Sequence, residues 1–269
     1  MADEFWRKGI TKVLFSASEI TTDPTAAQMG AGTNEQQTIT ITGTPTGGTF
    51  TLTYSGQTTA GIAYNASAAT VKAALAALSN LDATDMIATG GALPGSAVTI
   101  EFTGTLAATN VATMTANGAS LTGGTSPAVA ITTPVPGVVG STDLSGQING
   151  MDGWETKVER IGTENLASTF TATITGPRTV GDASITFLDQ KNPAGVTGAT
   201  YDAIRALLAI GVRGTLIIAP YGVATGNRVE LWPVESSGPN DVISLGNEPA
   251  KFKVDFGITG LPVKDAEAA

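Results

Sequence analysis

The chain contains no histidine and no cysteine. Without histidine there is no Ser-His-Asp or Cys-His arrangement, and no imidazole to move protons near neutral pH. Without either residue, a zinc site has almost no ligands left. Disulfides are impossible, so packing alone must hold the fold. Charge is also scarce, at 14% of residues, yet hydrophobic residues reach 42%. A disordered chain would show low hydrophobicity and dense charge, so a folded protein is expected. No phosphate-cradling Gly-x-x-x-x-Gly-Lys, no Gly-x-Gly-x-x-Gly and no Gly-x-Ser-x-Gly elbow occurs. Carboxylate chemistry, a hard-metal site or no chemistry at all remain.

The 269 residues allow one large domain or two medium ones, each able to bury a core. The first residues, Met1-Ala-Asp-Glu-Phe-Trp-Arg-Lys8, are charged and lack a following apolar stretch, so no secretory signal is expected. No run of 18 apolar residues offers a membrane span. With 14 bases against 23 acids the formal charge is −9. That balance disfavours tight binding to nucleic-acid phosphates, which needs clustered Lys and Arg. It does not disfavour passive proximity to DNA.

The charge is unevenly spread. Residues 34–142 carry one base, Lys72, and four acids, Glu35, Asp82, Asp85 and Glu101, net −3 over 109 residues. The other 160 residues hold 13 bases and 19 acids, net −6. Arg and Trp are absent from the middle segment, where Thr, Ala and Gly dominate. It is flanked by Ala31-Gly32-Thr33 and closes on Gly140-Ser141-Thr142, so its removal leaves one short loop. The expected organisation is therefore a discontinuous domain, 1–33 with 143–269, and a domain inserted at a loop tip, 34–142.

In the inserted segment, Thr38–Thr42 and Phe50–Tyr54 alternate hydroxyl and apolar side chains, the period of half-buried strands. Gly43-Thr-Pro-Thr-Gly-Gly48 between them predicts a hairpin turn. Asn65 to Leu78 is Ala-rich, with Val71, Leu75 and Leu78 on one helical face and Asn65 or Ser67 as the cap. Further strands are expected at 97–103, 111–116 and 129–132. Asn65-Ala-Ser67 matches a glycosylation acceptor but reads as a helix cap, and the strand threonines read as a solvent face.

The remaining chain predicts strands at 9–16, 154–161, 170–174, 183–188, 215–219, 228–234 and 251–258. One helix is expected at 201–210, with Tyr201, Ile204, Leu207 and Leu208 in a stripe and Gly211 past its end.

Several segments together carry a family resemblance. They are Trp6-Arg-Lys-Gly-Ile-Thr-Lys-Val-Leu-Phe15, Asp143-Leu-Ser-Gly-Gln-Ile-Asn-Gly-Met-Asp-Gly-Trp-Glu-Thr-Lys-Val-Glu-Arg160, Gly181-Asp-Ala-Ser-Ile-Thr-Phe-Leu-Asp189, Arg228-Val-Glu-Leu-Trp-Pro-Val234 and Gly246-Asn-Glu-Pro-Ala-Lys-Phe-Lys-Val-Asp-Phe-Gly-Ile258. In this order they resemble the major tail tube proteins of long, non-contractile-tailed actinobacterial bacteriophages. The insert is a departure from plain members. Its residues 34–54 resemble a module recurring in virion proteins of such phages, read as a surface decoration.

The resemblance implies a mainly β fold: a tail-tube-type β-sandwich with one flanking α-helix, plus an inserted small β-rich domain containing one helix. It implies six subunits per ring, rings stacked into a tube, and strands of neighbouring subunits lining a lumen for DNA. Implied partners are other copies of the chain, the tail terminator, tape measure and tail tip proteins, and passing DNA that is not tightly bound. The implied location is the virion tail, after synthesis in the host bacterial cytoplasm. No cofactor or metal is expected.

Glu155, Lys157 and Glu159 share one side of a predicted strand opposite Trp154 and Val158, and are candidates for a lumen or inter-subunit face. Residues 1–8, 22–33 with 143–152, and 261–269 are expected as arms or loops between rings. A second reading is a free adhesin or carbohydrate-binding module, with a host-surface glycan at the insert; the lack of Trp there counts against it. A third is a glycosidase-like enzyme using Asp82 with Asp85 or Glu155 with Glu159, which helix ends and solvated strands explain without chemistry. Asp82 and Asp85 also lack the oxygen-rich loop of a Ca²⁺ site.

Overall fold

The computed structural model describes residues 11–163, 172–180, 183–188, 201–242 and 250–269. The chain is mainly β and divides into two compact units, Met1–Gly30 with Ser141–Ala269, and Ala31–Gly140. Thr33 bridges Val138 within the second unit, whereas Thr142 pairs with Phe15 in the first.

In the first unit, antiparallel strands follow the order Ser141–Asp143, Lys12–Ser16, Arg213–Ala219, Arg228–Val242, Lys251–Ile258, Ala183–Leu188, Ile148–Asp152. Val263–Glu267 additionally pairs with the start of the long Arg228–Val242 strand. Seven strands laid flat would hold the outermost two about 29 Å apart, at ~4.8 Å per gap. Yet only Leu144 and the 3₁₀ turn Ser145–Gln147 join them, and five residue steps span at most about 18 Å. The sheet must therefore curl until its edges approach. Leu144, fully buried, lies in that gap and donates its N–H to the Val13 carbonyl.

The two faces of this sheet bury different cores. One contains Phe15, Ile185, Phe187, Trp232, Phe252 and Phe256 and is covered by the helix Tyr201–Leu207 through Ile204 and Leu208. The other contains Leu14, Ile20, Met29, Ile217, Val229, Leu231, Ala266 and Ala268. Lys12–Ser16 and Arg213–Ala219 are thus buried on both sides, which is why they read as apolar runs rather than alternations. Gly214 permits the close approach of these strands: a Cβ there would lie 2.1 Å from the Ser16 carbonyl oxygen.

Several expectations for this unit are corrected. The segment 22–33 contains a four-residue helix, Ala26–Met29, held by a Thr25/Gln28 capping box, and Met29 is buried. Residues 261–269 do not hang free. Val263–Glu267 is a strand, Ala266 and Ala268 are buried, and Ala268 exchanges backbone hydrogen bonds with Asn227 and Gly226. Small alternating side chains fit under a sheet as well as they fit a loop, so composition misled here. The segment 143–152 likewise supplies two sheet strands. The 228–234 strand extends to Val242 through an irregularity at Ser236–Pro239, where Gly238 has φ +88°. Residues 1–8 lie outside the described residues.

The second unit packs two sheets and a helix around one core. One sheet runs Ala128–Val135, Gln36–Thr42, Val98–Phe102, Met86–Gly90. The other is built on Gly47–Tyr54, which pairs with Gln57–Thr58, Ile62–Ala63, Thr115–Asn117 and Leu121–Thr122. The predicted hairpin is therefore wrong: Gln36–Thr42 and Gly47–Tyr54 belong to different sheets. Alternation identifies the face each strand buries, and both bury apolar residues in the same core: Ile39 and Ile41 from one, Phe50, Leu52 and Tyr54 from the other. It does not identify the partner. The helix is Ala68–Ala76, capped by Ser67, with Val71 and Leu75 fully buried. Of the 111–116 prediction only Thr115–Asn117 is strand, although Val111 and Met114 are core.

Candidate assembly surfaces

Thr156–Thr163 and Ala172–Val180 form an antiparallel ribbon. Among the described residues neither strand pairs with a third. β-branched Thr, Val and Ile favour the extended backbone, and Pro177 sits beside a register shift between Val158 and Arg160, where a missing N–H is tolerated. Such a ribbon is marginal alone, and among the described residues both its edges are open.

The candidate residues fall on this ribbon and beside it. Glu155 is exposed and precedes the strand, which begins at Thr156 rather than Trp154. Lys157 lies opposite Thr179, and Glu159 falls at the register shift. The side chains of Lys157 and Glu159 lie outside the described part, so their common face does too. Trp154 packs edge-on against Trp232 and donates its indole N–H to the Ser184 carbonyl, anchoring the chain just before the ribbon.

Several acids of the first unit are ion-paired on or beside its sheet. Arg213–Glu235 at 2.6 Å, Arg228–Glu230 at 2.9 Å and Lys253–Asp255 at 2.8 Å are cross-strand or same-face pairs. Arg205 of the helix pairs with Asp241. Exposed pairs of this kind contribute at most about 1 kcal/mol each. Lys12 and Asp143, 2.6 Å apart, tie the outermost strand to its neighbour. Burial raises the Asp143 pKa, but Lys12 and the Ser145 hydroxyl and N–H outweigh it and hold the carboxyl below its ordinary value. Nothing in the spacing of Lys12 and Asp143, 131 residues apart, reveals this pair.

In the second unit the paired carboxylates are structural. Asp82 caps the 3₁₀ turn Ala83–Asp85 and accepts from the Thr84 N–H and hydroxyl, which lower its pKa. Asp85 accepts from the Thr105 N–H and hydroxyl, with the same effect. Each is committed to a different loop, and among the described residues no cluster of three metal-ligating side chains occurs. Glu35, buried, accepts from the Gln37 amide and the Val111 N–H at 2.6 and 2.8 Å, which fixes the loops around it. Sequence reading missed this role; a lone acid at a strand start beside Gln37 was the available signal. Phe50, Tyr54 and Phe102 are buried and Tyr64 is half-buried, so they form no exposed aromatic platform for sugar.

The family model described as phage tail tube protein matches residues 130–269, 140 of the 269 residues. No curated protein is significantly similar in sequence.

Proposed function

Because this chain belongs to the phage tail tube protein family, which is structural and not enzymatic, we propose that it assembles into six-membered rings stacked as a tail tube, with the Ala31–Gly140 unit displayed outside. The protein is a structural component of the phage tail. The ribbon Thr156–Thr163/Ala172–Val180 carries the assembly reading. Its open edges match what a neighbouring copy needs, and closing a ring of such strands leaves no edge to aggregate.

DNA passes through the lumen without tight binding. Unpaired wall carboxylates repel phosphate over roughly a Debye length, about 8 Å at physiological salt. Glu155, Lys157 and Glu159 are the proposed lumen or inter-subunit positions. Tail terminator, tape measure and tail tip proteins are the expected partners at the tube ends, and synthesis takes place in the bacterial cytoplasm.

The outward placement of the second unit is supported by its ends. The Ser141 N–H bonds to the Gly30 carbonyl at 2.8 Å, so the chain leaves and re-enters the first unit at one point. A free-standing adhesin has less support, since the insert's large aromatics are mostly spent on its core. The test is negative-stain electron microscopy of the purified, concentrated protein. Hollow tubes are expected; a persistent monomer under all assembly conditions overturns the reading.

A further inference from the structure

Adjacent strands of the first unit set a row of oxygens across one face of the sheet. Asp152 pairs with Ser184, and Ser184 pairs with Asp255. Met151, Ile185, Val254 and Phe256 pack in or against the core under the helix. Strand alternation therefore turns Asp152, Ser184, Lys253 and Asp255 to the opposite face. The core of that face, built around Leu14, Ile217 and Val229, includes no described residue of these three strands. Asp152, Ser184, Ser237, Lys253 and Asp255 line a cleft of about 490 Å³ there.

A fourth strand closes the row with an irregularity. Ser236 pairs with Phe256 and Pro239 with Val254, so Ser237 and Gly238 together stand opposite Asp255. A bulge of this kind leaves backbone groups outside the ladder and re-aims side chains. It sets exposed Ser237 at the end of the row, beside Asp255.

The groups of this row are unevenly committed. Lys253 holds Asp255 at 2.8 Å. Among the described residues the Asp152 carboxylate and the Ser184 hydroxyl have no hydrogen-bond or ion-pair partner. Ser184 is only 8% exposed. Its carbonyl accepts from the Trp154 indole N–H at 3.0 Å, which leaves the hydroxyl turned to the cleft. A hydroxyl held that deep costs free energy unless a ligand occupies it. Two acids against one base give the cleft a net charge of −1. Its free ligands are hard oxygens, which suit Ca²⁺. Asp152 and Asp255 flank Ser184 at one strand spacing, ~4.8 Å, on either side. Oxygens on opposite sides of a calcium ion lie about 5 Å apart, so two carboxylates leaning inward close on an ion above Ser184.

We propose that this cleft binds a calcium ion through the Asp152 and Asp255 carboxylates and the Ser184 hydroxyl, with Ser237 and water completing the shell. The bound ion displaces Lys253 from Asp255 and ties the outermost strand, Ile148–Asp152, to the bulged one. Two carboxylates make a weak site, with a dissociation constant of about 10⁻⁴–10⁻³ M. Asp152 and Asp255 are far apart in the sequence, so no spacing announces the site. It goes beyond the tube reading and does not depend on ring formation.

The test is calcium titration of the full chain by isothermal calorimetry. Terbium luminescence excited through tryptophan is a second readout, since Trp154 is bonded to the Ser184 carbonyl. Saturable binding of a single ion per chain is expected. Asp152→Asn should weaken it roughly tenfold or more, because ligand charge sets affinity. Ser184→Ala should weaken it several-fold, and both variants should keep the wild-type circular dichroism. Lys253→Gln should tighten binding, because the competing ammonium is gone; a damaged fold would not tighten it. Asp265→Asn, at an exposed acid of another strand, should leave it unchanged. Absence of saturable binding overturns the proposal, and so does binding untouched by Asp152→Asn. Equal weakening by Asp152→Asn and Asp265→Asn shows a diffuse counter-ion effect and also overturns it.

Discussion

The two units solve the same problem, covering a sheet, in different ways. The Ala31–Gly140 unit faces two sheets inward and leaves their outer sides to solvent, so its strands alternate cleanly, as in Val98–Phe102. The other unit wraps one curled sheet between two cores, and its strands Lys12–Ser16 and Arg213–Ala219 are buried almost throughout. A sheet with one wet face tolerates threonine, little charge and much variation outside. Strands buried on both faces hold no charge at their centre, and threonine only with a partner: buried Thr215 donates its hydroxyl to the Ser18 carbonyl. Charge in that unit stands at exposed or half-buried sheet positions, as in the pairs Arg213–Glu235 and Lys253–Asp255.

The comparison is broken most directly by emptying one core and watching the other. Phe102→Ala should cost about 3–5 kcal/mol in the inserted unit, and Trp232→Ala a similar amount in the other. By differential scanning calorimetry each should lower one transition and leave the other in place. A common shift of both transitions would show that the units are not independent. Next in size is Gly214→Val, which drives a side chain into the Ser16 carbonyl. A loss of about 2–3 kcal/mol is expected, confined to the doubly buried sheet. A valine variant with wild-type melting would mean that the two strands can part without cost.

Acid should act on both units, through different groups. The pKa of Asp143 is lowered in the folded state, so its contribution is full above the ordinary aspartate value near 4 and is lost as pH falls through the depressed one. Asp143→Asn should cost about 1 kcal/mol at pH 7 and flatten the first unit's acid-side slope. Asp85→Asn should flatten only the slope of the second, since the pKa of Asp85 is also lowered. Urea melts between pH 2 and 6 separate the two. The smallest effect is Ser67→Ala, which removes the cap of Ala68–Ala76 and costs about 1 kcal/mol in the inserted unit alone.

Much of this division is visible in the residues themselves. The Thr-rich, Arg-free middle segment and the glycines at its ends mark a change of composition. The strands Ala183–Leu188 and Lys251–Ile258 and the helix stripe of Ile204 and Leu208 follow from periodicity. What periodicity does not carry is partnership. Thr38–Thr42 and Phe50–Tyr54 look like a hairpin because turn residues lie between them, but a turn can also carry the chain from one sheet to the other. Alanines 266 and 268 are too small to announce a buried strand.

The central claim is that one unit builds the tube and the other rides on it. Gly30 and Ser141 are already hydrogen-bonded, so deleting residues 31–140 joins neighbouring groups. Electron microscopy of that deletion beside the full chain is the direct measurement. The account predicts tubes of unchanged lumen and narrower outer outline. Loss of tubes, or collapse of the remaining unit on deletion, would contradict it.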